Sequence, residues 1–495
     1  GDAVPARGDL RHRAVGPAAR RGAAGSIREG IAQLEVVELQ HRRSRALDPH
    51  IHRHLWLNAR VLGEDGRWSN VDSRVAMKLH TLINAEGEIA MRTDPAWVAA
   101  LARHGYTLSA DGEIEQLEHI VRPLSRRSNQ IEANRAARLA EWRQSHPGQE
   151  ASPDVLTAID RWAWAHGRPN KPGQVDEQSW EQLTRDELSG IDATVLELRS
   201  AVPVRAVAIA DLDRDLLAAQ ATVDADARTT ATGGRFGLFD LRAGALRAIA
   251  ASGVVAEREL IAEVAADVTA RAHQLSVNML PDEQDAIPGH VKHLMAASTA
   301  ALKVDLAVAL DRLAGPGERL VAADVDELSA TVLEEGRTLD RSQADAVAAI
   351  AGTDRLVAVT GPAGTGKTTL LKVAKAALEA QGRRMVIVAP TKKAASVAGR
   401  EVGAQASSLH SLLLDHGWRW GVDDAGAQVW RRLEVGDVDP HTGAVYEGPR
   451  RYVLERGDRV VVDEAGMVDL HTALALSDVL ERTGADVAMV GDHLQ

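Results

Sequence analysis

The sequence predicts a multidomain α/β protein with three differently built parts, and three observations support this. Over residues 35–68, short strand-like runs alternate with turn residues, which is typical of an antiparallel sheet. Over residues 185–335, Ala, Leu and charged residues recur at helical spacing, which predicts a helical middle segment. From residue 342 onward, apolar strands alternate with helices, as they do in a parallel α/β lobe.

Length and composition are those of a globular protein with several cores. A chain of 495 residues exceeds what one hydrophobic core organises, and its 45% hydrophobic and 26% charged residues are ordinary values. We expect no membrane span, since no apolar run reaches about 18 residues, and the start carries no signal-peptide pattern. Without cysteine, any metal must be held by histidine or carboxylate. These features favour a cytoplasmic protein.

The charge is unevenly distributed along the chain. The formal net charge of −12 argues against nucleic-acid binding through bulk charge, although a local basic groove is compatible with it. Residues 1–60 carry 11 Lys and Arg against 6 Asp and Glu, whereas residues 201–340 carry 13 against 22. The basic start and the acidic middle are therefore expected to be different modules.

Four histidines lie on a predicted hairpin of residues 35–41 and 50–58. His50, His52 and His54 are two residues apart, so they would face the same side of a strand. His41 precedes His52 by 11 residues and could lie beside it on the neighbouring strand. Converging imidazoles bind a divalent cation and leave coordination positions open. From the residues alone, a polar exposed strand face is the alternative interpretation.

The stretch GPAGTGKT (361–368) matches the phosphate-loop pattern in full, between a predicted strand at 356–360 and a helix. Its glycines let backbone N–H groups surround the phosphates at a helix N-terminus. Lys367 should reach the β- and γ-phosphates, and the Thr368 hydroxyl should hold Mg²⁺. The predicted ATP-binding residues of this loop are Gly361, Pro362, Ala363, Gly364, Thr365, Gly366, Lys367, Thr368 and Thr369.

Two carboxylates stand at the end of a third predicted strand of this lobe, at 458–463. Asp463 and Glu464 should lie beside the nucleotide, because parallel strands end at the crevice where ligands bind. Asp463 is expected to anchor Mg²⁺ through water, and Glu464 to orient or deprotonate the attacking water. Read alone, the pair could also be an ordinary charged strand end. The other predicted strands are 385–389 and 486–492.

Four motifs of this lobe resemble motifs I, Ia, II and III of superfamily 1 helicases of the RecD-like branch: GPAGTGKTT, APTKKAA (389–395), VVDEAGM (461–467) and GDHLQ (491–495). The resemblance implies a RecA-like lobe in which Gln343 reads adenine and Gln495 senses the γ-phosphate. It also implies that single-stranded DNA touches Ala389, Pro390 and Thr391, with SSLHSLL (407–413) beside them.

The helicase resemblance covers about residues 335–495 and ends after motif III. Motifs IV to VI, the second RecA-like domain and its arginine finger are not in the sequence. We therefore expect this lobe to bind nucleotide but to hydrolyse it poorly, because the arginine supplies much of the transition-state stabilisation.

The pattern H-x(10)-H-x-H with SRALDP between its histidines resembles the three-histidine motif of MobF-class conjugative relaxases, the TrwC/TraI family. The resemblance implies an HUH-type domain in which His41, His52 and His54 hold Mg²⁺ or Mn²⁺ and His50 does not. GRWSNVD (66–72), RTDPAW (92–97) and RPLSRRSNQIEANR (122–135) also resemble these relaxases. Arg126 and Arg127 would contact DNA phosphates, with a solvated helix start as the alternative.

In that family the metal polarises one phosphate of plasmid transfer-origin DNA, and a tyrosine attacks it to leave a 5′-phosphotyrosine and a free 3′-hydroxyl. The nicked single strand of DNA is then led into the recipient cell while the helicase unwinds the duplex, with the conjugation machinery and its coupling protein as partners, in the bacterial cytoplasm. Here Tyr106, Tyr446 and Tyr452 all follow the histidines. We therefore expect metal and DNA binding without nicking, and the interior of a longer protein or a decayed copy.

The predicted organisation has four parts: an unassigned start (1–24), the C-terminal part of a relaxase domain (25–190), a helical helicase-associated segment (191–335) and the first RecA-like ATPase lobe (336–495). The leading hypothesis is an internal piece of a MobF-class relaxase-helicase. One alternative is a RecD-like DNA helicase without relaxase activity. The other is a non-catalytic mobile-element remnant that binds ATP and single-stranded DNA.

Overall fold

The computed structural model describes residues 19–21, 27–146, 153–167, 176–230, 233–280, 287–334, 336–362 and 365–492. The chain divides into two compact units. The first unit comprises Gly1–Asn134, Ala163–Thr299 and Asp424–Ala427, and the second comprises Arg135–Trp162, Ala300–Asp423 and Gln428–Gln495. The boundaries that the sequence places after residues 190 and 335 stay predictions.

The strands, in chain order, are β1 (Ala19–Arg21), β2 (Ile27–Glu29), β3 (Ile31–Gln33), β4 (Val36–Arg43), β5 (Pro49–Leu57), β6 (Arg60–Gly63), β7 (Trp68–Val71), β8 (Arg235–Phe236), β9 (Ser276–Asn278), β10 (Leu294–Ala296), β11 (Leu356–Thr360), β12 (Met385–Ala389), β13 (Gln405–Ser408), β14 (Trp418–Val422), β15 (Gln428–Arg432), β16 (Arg459–Asp463) and β17 (Asp486–Gly491).

The α-helices, in chain order, are α1 (Ser73–Lys78), α2 (His80–Thr93), α3 (Pro95–Arg103), α4 (Glu118–Val121), α5 (Arg126–Ser145), α6 (Pro153–Ala165), α7 (Glu177–Asp192), α8 (Arg214–Ala227), α9 (Leu238–Ala251), α10 (Arg258–Gln274), α11 (Ala297–Leu313), α12 (Ala322–Val332), α13 (Arg341–Ile350), α14 (Lys367–Ala380), α15 (Lys392–Val402), α16 (Leu409–Asp415) and α17 (Leu470–Thr483). Among the described residues, none of these helices is long and apolar enough to cross a bilayer.

The antiparallel strands of the first unit form three separate groups, one of which is the small sheet of β8, β10 and β9. In the described part of this unit, β2, β1, β7, β6 and β3 form one sheet in that order, while β4 and β5 pair only with each other. The turn predicted at 63–68 connects β6 to β7. The predicted antiparallel sheet with helices is thus confirmed, and the histidine-bearing strands form a ribbon of their own.

The core of the first unit lies among α2, α8, α9 and α10. Leu82 and Ile89 of α2 are buried there together with Leu246 and Ile249 of α9. The helices approach closely at Gly244, where an added Cβ would lie 2.5 Å from a backbone carbonyl oxygen of α8. Only glycine fits such a contact, so this residue sets the α8–α9 spacing.

The second unit is built on a parallel sheet, as the sequence predicts. Within its described residues the strand order is β11, β17, β16, β12 and β13, and every neighbouring pair is parallel. Helices α12 to α15 cover one face of the sheet, and α16 and α17 cover the other. The C-terminal ends of β11, β16 and β17 therefore meet at one edge, where nucleotide sites form in such folds.

Two elements of the second unit were not predicted from the sequence. Strand β13 has the polar sequence QASS and pairs with β12 at the edge of the sheet. The β14–β15 hairpin follows α16 and carries Trp418, Trp420 and Trp430. Trp430 stacks on Trp420 with ring centroids 5.0 Å apart and on His471 at 5.9 Å.

Candidate metal and nucleotide sites

The β4–β5 hairpin brings three of its four histidines together on one face. His41 lies directly opposite His52, and His54 follows two residues along β5. Ring nitrogens of His41, His52 and His54 all lie within 4.8 Å of one another. Three imidazoles at this spacing are a donor set that suits a divalent cation and leaves positions for water and phosphate oxygens.

The ring of His52 is oriented by its own strand. Its Nδ1 lies 2.8 Å from the carbonyl oxygen of His50. A carbonyl oxygen can only accept, so in the neutral ring Nδ1 carries the proton and Nε2 keeps its lone pair for a metal. The side chain of His50 lies outside the three-histidine group, although its ring centroid is 4.7 Å from that of His52.

The loop between β4 and β5 is organised by Asp48, which is buried. Ser44 donates its hydroxyl to Asp48 Oδ2 at 3.1 Å, and its Oγ accepts from the backbone N–H of Asp48 at 3.2 Å. Leu47 has a positive φ of 66°, which is unusual for a residue with a Cβ. Its carbonyl oxygen accepts a hydrogen bond from Trp180 Nε1 at 2.9 Å.

Arg126 and Arg127 have partners within the first unit, and their predicted contact with DNA phosphates stays a prediction. Arg126 pairs with Asp48 at 3.0 Å and with Glu187. Arg127 donates its side chain to the carbonyl oxygen of Trp164, and its backbone N–H points to Asp48 Oδ2 at 3.4 Å. These contacts attach the start of α5 to the hairpin loop.

In the second unit, the phosphate loop lies between β11 and α14 as predicted. Gly366 has φ 76° and precedes Lys367, the first residue of α14. Thr365 donates its hydroxyl to the carbonyl oxygen of Pro362 at 2.8 Å, which closes the described part of the loop. Gly361 is buried and donates its N–H to the carbonyl oxygen of Gly491 at the end of β17. Ala363 and Gly364 lie outside the described residues.

The two carboxylates at the end of β16 face this loop. Glu464 Oε1 lies 4.0 Å from Lys367 Nζ, and Glu464 has a positive φ of 55°. Burial raises the pKa of Asp463 above its usual value, although the nearby Lys367 opposes this. Burial raises the pKa of Glu464 too, again opposed by Lys367. A carboxyl with a raised pKa accepts a proton more readily, which suits the role predicted for Glu464.

Thr368 and Glu401 form a contact at this edge that the sequence did not predict. The Thr368 hydroxyl donates to Glu401 Oε2 at 3.2 Å. Glu401 also raises the pKa of Asp463, as a smaller cause than burial, so its charge acts on the predicted Mg²⁺ site. Glu401 lies in GREVG, an ordinary helical pattern, so the sequence does not indicate this contact. Thr369 lies in the first turn of α14 and is partly buried.

Gln343 makes structural contacts at the start of α13 and with the phosphate loop. Its Oε1 accepts from the backbone N–H of Asp340 at 2.9 Å, which completes a capping box at the start of α13. Its Nε2 donates to the carbonyl oxygen of Thr365 at 2.9 Å. The contact places Gln343 against the phosphate loop, and its reading of adenine stays a prediction.

The predicted DNA-contact residues of motif Ia differ in accessibility. Ala389 is fully buried at the end of β12, so the predicted contact of this residue with DNA is corrected. Pro390 and Thr391 are partly exposed, and the Thr391 side chain caps α15 by accepting from the N–H of Ala394. The segment 407–413 runs from the end of β13 into α16. Gln495 lies outside the described residues.

The tyrosines of the chain have structural contacts. Tyr446 donates its hydroxyl to the carbonyl oxygen of Asp415 at 2.9 Å, and Tyr452 is buried in the core of the second unit. The ring of Tyr106 lies under the guanidinium of Arg199 at 5.6 Å. These contacts agree with packing roles for all three.

The fold and the two sites define a protein that joins a three-histidine metal site to a P-loop nucleotide-binding lobe. Two parts of the chain are similar to known protein families. Residues 13–191 match the TrwC relaxase family, and residues 338–495 match an AAA domain. Both matches confirm the resemblance to MobF-class relaxase-helicases seen in the sequence.

Individual relatives agree with the two family matches. The chain is 33% identical over 168 residues to the conjugal transfer protein TraA of Agrobacterium fabrum (strain C58 / ATCC 33970). This match covers 34% of the chain and 12% of TraA, so the chain spans about an eighth of that relative. It is 41% identical over 58 residues to the ATP-dependent DNA helicase dda of Enterobacteria phage T4, which covers 12% of the chain and 13% of that helicase.

A solved structure of conjugative relaxase TrwC in complex with OriT DNA is similar at 24% identity over 37% of this chain and 61% of that one, with a TM-score of 0.25. At this TM-score the likeness adds nothing to the assignment.

Proposed function

We propose that the chain acts in conjugative DNA transfer, as the metal-binding part of a DNA relaxase joined to the first ATPase lobe of a superfamily 1 helicase. The observation that supports this most directly is the convergence of His41, His52 and His54 on one face of the hairpin, inside the region that matches TrwC relaxase. The proposed substrates are plasmid transfer-origin DNA and single-stranded DNA in the bacterial cytoplasm, and the proposed partner is a conjugative coupling protein.

The three imidazoles would hold Mg²⁺ or Mn²⁺. A divalent cation at this site would act as a Lewis acid toward a DNA phosphate. The chain's own contribution is to keep the three ring nitrogens converged and to orient His52 through the carbonyl oxygen of His50. No tyrosine precedes His41, so we expect the chain alone to bind metal without forming a phosphotyrosine.

The second unit would bind ATP with Mg²⁺. Lys367 would neutralise the phosphates, while Thr368 at the start of α14 and Asp463 at the end of β16 would hold Mg²⁺. Glu464 would orient the attacking water, and Gln495 would sense the γ-phosphate. Single-stranded DNA would run past Pro390 and Thr391 at the same edge of the sheet.

The relaxase half is tested by Mn²⁺ titration of the purified chain, followed by calorimetry and by the Mn²⁺ resonance signal. Changing His41, His52 or His54 to Ala should each weaken binding more than about tenfold, since even the loss of an outer partner costs about 10- to 100-fold. His50→Ala is the matched control, because its ring adjoins His52 without belonging to the group. Equal losses at all four positions would refute the ligand set.

The helicase half is tested with a fluorescent ATP analogue and a labelled DNA oligonucleotide. Lys367→Ala should abolish nucleotide binding and leave Mn²⁺ binding at the histidines unchanged. Affinity for single-stranded DNA should fall steeply with salt, because backbone contacts release counterions. Nucleotide binding together with no Mn²⁺ binding in the wild-type chain would favour the alternative of a RecD-like helicase without relaxase activity.

A further inference from the structure

The hairpin that carries the three histidines needs support to keep its register. In the described part of the chain β4 and β5 pair with no further strand, and both faces of the ribbon are largely exposed. An isolated two-stranded hairpin is only marginally stable in water. A slip of one residue would move one strand's histidines to the opposite face, because side chains alternate along a strand.

The register is also irregular close to the site. His41 pairs with His52, but the pairing shifts between His41 and Arg43, which lies opposite Pro49. The short loop that follows includes Leu47 in a left-handed conformation. Such a conformation in a residue with a Cβ persists only when surrounding contacts impose it.

Helix α7 supplies one set of these contacts. Trp180 is buried and donates its indole N–H to the carbonyl oxygen of Leu47, 133 residues earlier in the chain. The guanidinium of Arg42 lies 5.3 Å from the Trp180 ring centre and pairs with Glu177 and Glu181, each at 2.7 Å. The last residues of β4 and the strained loop are thus attached to the same helix.

Helix α5 supplies the second set through Asp48. The buried Asp48 carboxylate accepts from Ser44 within the loop and from Arg126 at the start of α5. Glu187 of α7 pairs with the same guanidinium. One carboxylate therefore joins the hairpin loop to α5, and one arginine joins α5 to α7.

We propose that Asp48 and Trp180 are positioning residues of the three-histidine metal site, and that they fix the β4–β5 register before any metal binds. The inference rests on the proposed metal site, but it concerns the protein contacts that form the site. Neither residue belongs to the group of ring nitrogens that converge, so neither is a ligand. Their effect on metal binding would pass through the position of His41 relative to His52.

The test measures register and metal affinity separately. The chain has no cysteine, so a pair introduced at Glu38 and Leu55, which lie opposite each other, reports the register through disulfide formation in metal-free protein. A pair at Glu38 and Arg53, two residues out of register, serves as its reference. Trp180→Phe keeps an aromatic ring but removes the indole N–H, and Asp48→Asn keeps the shape but removes the charge.

In both variants we expect the in-register pair to cross-link at least about threefold more slowly than in the parent, and Mn²⁺ to bind about tenfold more weakly, which is an effect of the size seen for outer partners of metal ligands. Trp97→Phe, an exposed indole in the same unit, should change neither quantity. Thermal unfolding of each variant identifies any that has lost the fold, and the other variant then decides.

Unchanged cross-linking and unchanged Mn²⁺ affinity in both folded variants would overturn the inference. A decrease in thermal stability with unchanged register and affinity would also overturn it, since it would show a merely structural role. If the parent chain binds no Mn²⁺ but the register still depends on Trp180 and Asp48, the proposed metal function fails while their role in positioning the histidines stands.

Discussion

The hydroxyl of Thr368 donates a hydrogen bond to Glu401 Oε2 across 3.2 Å, at the edge of the sheet where Mg²⁺ is expected with ATP. A hydroxyl that binds a cation through its oxygen still needs an acceptor for its proton. Glu401 is that acceptor in the described structure, whereas Asp463 accepts from the backbone N–H of Glu464 at 3.0 Å. Glu401 therefore orients the Thr368 hydroxyl, and Asp463 holds the backbone at the end of β16.

Glu401→Gln should weaken the Mg²⁺-dependent part of nucleotide binding. We expect about a fivefold loss, or roughly 1 kcal/mol, because Glu401 is exposed and such interactions are screened by water. Affinity for a fluorescent ADP analogue in EDTA should not fall. The measurement compares this affinity with and without Mg²⁺ in the parent and the variant.

The matched control for this prediction is Glu379→Gln, an exposed glutamate of α14 that pairs with Lys375 on the same helix. It should leave the Mg²⁺ dependence unchanged. Because Glu401 acts through the Thr368 hydroxyl, Glu401→Gln should cause little further loss of Mg²⁺-dependent nucleotide affinity when Thr368 is already replaced by Val. An equally large additional loss there would show that Glu401 acts without the hydroxyl.

Asp463→Asn should raise the stability of the nucleotide-free chain while it abolishes the Mg²⁺ dependence of nucleotide binding. Burial raises the pKa of Asp463, which means that the folded protein disfavours the ionised carboxylate. The neutral amide removes this cost and keeps the shape. The unfolding midpoint of the apo chain at pH 7 checks the first effect, and nucleotide titration in Mg²⁺ checks the second. A lower midpoint would contradict the burial argument.

Much of the helicase lobe could be predicted because its signals are local. A motif with a fixed structural context adjoins each of the apolar strands β11, β12, β16 and β17. The order of strand, loop and helix can therefore be read directly from the sequence. Strand β13 was not predicted because QASS is short and polar, and the strand is formed by its pairing with β12. The β14–β15 hairpin was not predicted because its tryptophans pack on α17, which comes 40 residues or more later in the chain.

The candidate metal ligands were predictable for a related reason. His52 and His54 share a strand face by spacing alone, and a short turn limits where His41 can lie. Asp48 and Trp180 were not predictable, because their contacts join segments far apart in sequence. The carboxylate partners of Arg126 were not predictable for the same reason: its basic, helix-start context suggests a phosphate contact, and only the fold shows the two carboxylates beside it.

Replacing Arg126 separates the two roles considered for this side chain. If its role is structural, Arg126→Ala should lower the free energy of unfolding by about 1–2 kcal/mol, because the buried Asp48 loses its charged partner. The expected loss is modest because the Arg126 side chain is itself half exposed. The salt dependence of DNA binding should then keep its slope. A phosphate contact would instead lower that slope by about one unit.

The control for Arg126 is Arg122→Ala, a neighbouring arginine whose side chain is 84% exposed. It should change stability by less than about 0.5 kcal/mol, as exposed substitutions usually do. Chemical unfolding and DNA titration at several salt concentrations measure both quantities. A reduced slope for Arg126→Ala with unchanged stability would support the predicted phosphate contact instead.

His471 should make the second unit less stable in mild acid. Its ring lies parallel to Trp430 with an interplanar angle of 2°, and burial lowers its pKa below the ordinary value of 6.5, opposed by Asp469. A lowered pKa in the folded state means that the unfolded chain binds the proton more readily. The contribution is therefore fully present above pH 6.5 and is lost as the pH falls from there toward the folded pKa.

His471→Phe keeps an aromatic ring on Trp430 and removes the titrating group, so its stability should fall less than that of the parent between pH 7.5 and pH 5.5. Tryptophan fluorescence during urea unfolding at the two pH values gives the comparison, with His146→Phe as a control because that histidine stacks on a different tryptophan, Trp142 of α5. Unfolding free energies that decrease equally in the parent and in His471→Phe would show that the protonation of His471 does not weaken the packing of the β14–β15 hairpin on α17.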